Sequence, residues 1–263
     1  MNNTGSVALT ADRLDAALAE AMAAAALIDL DPDPAWTWHR TQDSIELLGD
    51  LPPLAHPRHR PLMLNGGAAL FNLRILIRGL GVRPAVRAVP DPTRRDLVAV
   101  LHLEGPRPVT ADDHALVAAV LHGVRQRPGY ADRVVPEPTA GPPLIAALRR
   151  AARAEQTWLA LQPGPGESLH NGTQGPGGVG ELASTTLIIG TVLDGPGARL
   201  QAGQAAQRVV LTAAAAGVPV RSLPEVLDRP ADRQTMRELI GGGLWPQAAL
   251  GSPVQGPAWG ETR

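Results

Sequence analysis

The sequence predicts an α+β protein made of two related sheet-and-helix halves around a pair of central helices, and three observations carry that expectation. The first is the stretch GGAALFNLRILIRGLG, residues 66–81, where Ala69, Leu70, Leu73, Ile75, Leu76, Ile77 and Leu80 wrap most of a helix. A helix apolar on nearly every side is a buried one. Gly67, Ala68 and Ala69 leave room for another backbone, and Gly81 stands where a helix C-cap belongs. The second observation is a twin. Residues 203–217, GQAAQRVVLTAAAAG, repeat the pattern 136 residues downstream, pairing Gly67 with Gly203, Ala69 with Ala205, Gly81 with Gly217 and Val82 with Val218. A short apolar stretch follows each copy, VRPAVRAV and VPVRSL. The third is that helices and hairpins mix without a regular βαβ alternation, which argues against a doubly wound parallel sheet.

The elements follow in order. Residues 11–28 form a helix with Thr10 as N-cap, and DLDPDP breaks it. Ala35–Arg40 alternates, turns through TQDS and returns as Ile45–Leu48, a hairpin. The loop LPPLAHPRHRP leads to the first central helix. Ala85–Val89 and Leu97–Leu103 read as strands joined through PDPTRRD. Thr110 opens a further helix, with Asp113 at the reciprocal position of a capping box. Residues 143–156 form a helix and Thr157–Leu161 a short strand, followed by a Gly/Pro-rich loop, Pro163–Gly180. A loop of that length inside a domain is a candidate lid. Thr185–Leu193 is a buried strand, the second central helix comes next, and Pro230–Ile240 is a short helix with proline in its first turn. Trp245–Leu250 is the last strand, ahead of the patternless tail SPVQGPAWGETR.

Composition excludes several chemistries. At 263 residues and 44% hydrophobic, the chain buries a full core as one large or two small domains. A net charge of −1 gives no reason to expect nucleic acid or an anionic membrane. Without cysteine there is no disulfide, thiolate nucleophile or Cys-held metal. Every basic residue is an arginine, so a Schiff-base lysine and a P-loop lysine are ruled out. The first ten residues lack the basic and apolar regions of a signal peptide, and no long uncharged apolar run is present. The expectation is a cytoplasmic protein, monomer or homodimer, with small-molecule partners.

The run LNGGAALFNLRILIRGLGVRPAVRAVPDPTRRDLVAVLHL resembles the actinobacterial Acg-type branch of the nitroreductase-like flavoproteins. So do TTLIIGTVLDGPGARLQAGQAAQRVVLTAAAAGVPVRSLPEVLD and ELIGGGLWPQAALG. With the N-terminal helix and AWTWHR, the resemblance covers most of the chain outside the 163–183 loop and the tail. It implies a single chain imitating a nitroreductase dimer, with halves 1–140 and 141–263, FMN between them and the 163–183 loop as a lid. It also implies phosphate pairing by Arg125 and Arg127, a flavin-facing segment Gly217, Val218, Pro219 and Val220, and Arg221 balancing the reduced flavin's charge. The flavin motifs depart from the family. Its Arg-Ala-Pro-Ser-x-His-Asn-x-Gln-Pro-Trp pattern is replaced by AAAALIDLDPDPAWTW, in which the tryptophans remain and Asp29, Asp31 and Asp33 would repel a phosphate. Proline at 219 removes a backbone N–H, and the family's C-terminal Arg-Arg-Pro has no counterpart.

Other candidates each have a plainer reading. SLHNGTQ, residues 168–174, resembles the lost Ser-x-His-Asn-x-Gln pattern with one extra residue, and would bring His170 and Asn171 over a ligand; a solvated loop is the plainer account. Gly175, Gly177 and Gly180 fit GxGxxG, but a strand follows where the fingerprint needs a helix. His56, His59, Arg58, Arg60 and Arg74 form either an anion pocket or a solvated loop and helix start. Asp112, Asp113 and His114 suit a helix N-terminus. Trp36 and Trp38 share one face of a strand, either as core or as a stacking surface for an aromatic ligand. No His/Asp/Glu pattern argues for a metal. The leading functional expectation is FMN-mediated hydride transfer from NAD(P)H to a small electron-poor acceptor. The alternative is a family member without redox chemistry that uses the old cleft for another ligand or for protein interaction. A weaker third is a non-redox enzyme with His170 as acid–base.

Overall fold

The computed structural model describes residues 10–25, 36–41, 43–91, 93–125, 142–163 and 185–251. Thr10 opens α1 (Ala11–Ala25): its hydroxyl accepts from the Arg13 N–H at 3.4 Å and its carbonyl from the Leu14 N–H at 3.2 Å. Leu14, Ala17 and Ala21 form its buried stripe. The expected hairpin forms from β1 (Trp36–Arg40) and β2 (Ser44–Gly49), and Thr41 and Ser44 close the turn by exchanging hydrogen bonds.

The first central helix, α2 (His59–Gly79), begins seven residues earlier than its apolar pattern. His-Arg-Pro reads as loop in sequence, yet Pro61 lies in the first turn, where a missing N–H breaks no helical bond. The second, α5 (Pro196–Ala215), likewise starts ahead of Gly203, on a proline at its first position. Both stop where the glycines stop them. Gly81 and Gly217 follow the C-caps with φ +79° and +75°, a conformation other residues rarely adopt. Past α5 the Gly217 N–H donates to the Ala214 carbonyl at 3.0 Å and the Val218 N–H to Ala213 at 2.9 Å, a Schellman closure.

After α2 come β3 (Val82–Ala88), β4 (Leu97–Pro106) and α3 (Ala111–Arg125). The capping box at α3 forms as read. Thr110 donates from both N–H and hydroxyl to Asp113 Oδ2, at 2.9 and 2.7 Å, and its Oγ1 accepts from the Asp113 N–H at 3.2 Å. The chain continues through α4 (Pro142–Ala154), β5 (Trp158–Pro163), β6 (Thr185–Thr191), β7 (Arg221–Ser222), a 3₁₀ turn at Pro224–Val226, α6 (Pro230–Leu239) and β8 (Trp245–Gly251). Among the described residues there are thus six α-helices and two four-stranded antiparallel sheets, in the orders β1-β2-β4-β3 and β5-β6-β8-β7. The fold is α+β, as the sequence predicts.

The central helices meet through their glycines. A Cβ on Gly67 would lie 2.9 Å from Gly203 Cα, and one on Gly203 would lie 2.9 Å from Leu64 Cα, with a backbone carbonyl oxygen closer still in each case. Glycine inside a helix costs about 1 kcal/mol against alanine, so this pair is held by tertiary contact rather than propensity. The helices then share apolar cores across the crossing. Leu200 and Leu211 of α5 join the first core with Phe71, Ile45, Leu101 and Val120, while Leu64 of α2 joins the second with Leu148, Leu187, Val209 and Leu250. A third cluster, Ile188, Leu227 and Ala249, lies under Met236 and Ile240 at α6 on the far face of the second sheet.

Candidate functional site

With no lysine, every fixed cation is a planar guanidinium, suited to two-pronged pairing with carboxylates. Three carboxylates organise most of the partly buried ones, two arginines each. Asp113, with a fully buried side chain, takes Arg78 at 2.9 Å and Arg107 at 3.0 Å. Glu155, just past the end of α4, takes Arg74 of α2 at 2.7 Å and Arg208 of α5 at 3.1 Å. Arg74 also donates to Gln204 Oε1 at 2.6 Å, and Arg208 reaches Asp112 at 3.0 Å. Asp194, just before α5, takes Arg199 at 3.3 Å and also pairs with Arg233 of α6.

Burial alone would push the Asp113 carboxyl up. The Thr110 bonds and the two arginines outweigh it and hold the group below the usual carboxylate range. A depressed native value means that Asp113 stabilises the fold above the ordinary carboxylate pKa, and that this contribution is lost as pH falls below about 4. Urea midpoints measured from pH 5 down to pH 2 are expected to fall less steeply for Asp113→Asn than for the native chain. Identical slopes would show that Asp113 carries none of the acid sensitivity.

The start of α2 holds a different arrangement. His59 Nδ1 lies 3.2 Å from Arg199 Nη1, and burial followed by the Arg199 charge lowers its pKa, so the ring stays neutral and accepts. Arg60 crosses to the second sheet, donating from Nη2 to the Leu227 carbonyl at 2.7 Å and from Nη1 to the Gln247 carbonyl. Gln247 is fully buried. Its amide nitrogen donates to Thr191 Oγ1 at 3.0 Å and Asp194 Oδ1 at 3.2 Å, while its Oε1 has no partner. Burial, then Arg233, push the Arg60 pKa down to about 10. Arg60 and Leu64 face Ser222, Leu227, Asp228 and Gln247 across a small cleft.

The residues named from sequence lie in several places. Trp36 is buried on β1, its ring against Gly49 and Gly66, where an added Cβ on Gly66 would meet it at 3.0 Å. Trp38 packs against the same first core. Gly217 ends α5, Val218 is buried in the second core with Val220 against it, and Arg221 is exposed on β7, paired in register with Gly251. Arg125 is the last residue of α3, its side chain outside the described set. Arg127, His170, Asn171 and the 163–183 loop beyond Pro163 also lie outside the described residues. The candidate anion group divides: Arg74 serves Glu155, His59 meets Arg199 of α5, and Arg60 reaches the second sheet at Gln247. Gln247 and Ser222 were missed; WPQAAL reads only as a strand, and nothing local marks them.

FMN needs a flat slot for three fused rings and cations for its phosphate. Among the described residues, Trp36 Nε1 and Asn65 Oδ1 are a buried donor and a buried acceptor without hydrogen-bond partners. The crossing at Gly67 and Gly203 closes the space between the central helices, and the arginines beside it are spent on Glu155 and Asp113. The described residues therefore do not by themselves enclose a flavin. No group of three or more His, Asp or Glu among them is placed to hold a metal ion, and no described helix is long and apolar enough to cross a membrane.

No family model matches the chain. Two Mycobacterium tuberculosis proteins, from strains CDC 1551 and H37Rv and each named "Putative NAD(P)H nitroreductase", are 26% identical to it over 275 aligned positions. The alignment covers 82% of this chain and 78% of each relative. The likeness is to nitroreductases. It spans both sheets rather than one motif, and at the family level it supports an oxidoreductase acting on small molecules.

Proposed function

We propose that this chain is a nitroreductase-like oxidoreductase in which FMN carries hydride from NAD(P)H to a small electron-poor acceptor. The observation behind it is the 26% identity spread over 82% of the chain, on an α+β fold of two antiparallel sheets. Bound FMN would supply the hydride chemistry; the protein's part is to hold and orient it. In this reading Arg125 and Arg127 pair with the phosphate. The backbone of Gly217–Val220 faces the ring, since the Val218 side chain is spent on the core, and Arg221 offsets the charge of the reduced form.

The same reading takes the chain as a fused pseudo-dimer with halves 1–140 and 141–263. Four features support it. Both sheets have the same strand order, and each central helix follows the second strand of its sheet. Each first strand opens on a tryptophan facing a glycine, Trp36 with Gly49 and Trp158 with Gly190. The pairing of second strand with fourth is irregular at a similar place in both, after Leu47 and after Ile189.

The closed helix crossing and the carboxylate-paired arginines favour a second reading, a nitroreductase fold that has lost FMN and serves another ligand or a protein partner. The visible spectrum of the purified protein, before and after FMN addition and desalting, separates the two. A retained flavin spectrum is expected under the first. A colourless protein from which FMN washes away would overturn it in favour of the second.

A further inference from the structure

We propose that the cleft at the start of α2 is an oxyanion-binding site whose cation is Arg60, taking a small ligand that carries a carboxylate or a phosphate group. The argument begins with what Arg60 lacks. Arg74, Arg78, Arg107, Arg199, Arg208 and Arg233 each end on a carboxylate. Arg60 crosses from α2 to the second sheet and ends on two carbonyl oxygens. Carbonyls fix the plane of a guanidinium without neutralising it. Two of its five N–H donors are used, and three remain with the full charge. A half-buried cation with no carboxylate hydrogen-bonded to it is costly to keep; Arg233 and Arg199 add repulsion, which Asp228 and Asp194 offset only in part. Asp194, the partly buried carboxylate nearest these three arginines, is hydrogen-bonded to Arg199 and Arg233 and acts on Arg60 only at longer range.

The cleft is small, about 20 Å³, so it takes the charged end of a ligand and leaves the rest at its mouth. The N-terminal end of α2 contributes its positive dipole end. Leu64, Pro61 and Leu227 wall the cleft with apolar surface, which strengthens any charge pairing inside it. Ser222 and Gln247, whose Oε1 is buried without a partner, are the polar groups beside Arg60 for the rest of a ligand. Asp228, exposed and also lining the cleft, opposes an anion and limits affinity. The inference does not depend on the oxidoreductase reading and survives if the protein proves colourless.

The test is calorimetric titration of the full chain with inorganic phosphate and with acetate, at constant ionic strength against chloride. Thermal unfolding in the same solutions runs in parallel. One or both anions are expected to bind and to raise the midpoint with concentration. Phosphate alone points to a phosphorylated ligand, acetate alone to a carboxylic acid. Arg60→Gln is expected to weaken binding roughly tenfold or more, with Arg60→Lys between the two. Asp228→Asn, a rim change, is expected to tighten binding and remains informative if the Arg60 variants fail to fold. The proposal is overturned if neither anion exceeds chloride, if Arg60→Gln binds as well as the native chain, or if Asp228→Asn leaves affinity unchanged or weaker.

Discussion

Gly203→Ala is expected to destabilise the protein by about 2–3 kcal/mol, although helix propensity alone would make it stabilising by about 1 kcal/mol. The sign is decided by what the new methyl meets. It would enter the backbone of α2 at Leu64, with Leu64 Cα only 2.9 Å away and no side chain there to rotate aside. Relief requires the two helices to move apart, loosening Leu64 from the second core and Leu200 from the first. Gly67→Ala should cost a similar amount for the reciprocal reason. The double variant should cost less than the sum, because one separation of the helices serves both methyls. Urea midpoints of the four proteins measure this. A stabilised Gly203→Ala would mean the helices do not cross at this point.

The second large effect is expected at Glu155. Glu155→Gln removes the carboxylate that joins Arg74 and Arg208, leaving two cations facing each other between α2 and α5. Breaking a fully buried pair costs about 3–5 kcal/mol. Here the arginine side chains are 17% and 14% exposed and Arg208 keeps Asp112, so about 2–3 kcal/mol is expected. Replacing Arg74 and Glu155 together by leucine should recover part of that loss, since an apolar pair needs no counter-charge. A Glu155→Gln variant as stable as the native chain would show that the arginines simply turn to solvent.

Much of the fold could be read from sequence because its signals are local. The capping box at Thr110 and Asp113, Pro230 at the start of α6, and the glycines that end α2 and α5 each act within four or five residues. The paired glycines Gly67 and Gly203 were legible for another reason: the same pattern occurs twice. The ion pairs were not. Arg74 meets a partner 81 residues away and Arg60 one 187 away, and no spacing rule links such positions. The start of α2 was misread because Pro61 is a helix breaker everywhere except the first turn. Trp36 was rightly placed on a strand, but only the fold reveals that Gly49 and Gly66 make room for its ring.

The glycine crossing also has a consequence during synthesis. Gly203 is translated 136 residues after Gly67, a delay on the order of ten seconds at ordinary elongation rates. Until then the face of α2 that holds Leu64 and Gly67 has no helix to rest on, and the first core lacks Leu200 and Leu211. The nascent amino-terminal half is therefore incomplete, with an apolar helix face open to chaperones or to a neighbouring chain on the same message. When α5 arrives it completes both cores in one step. The two sheets and their cores should then melt together in a single transition.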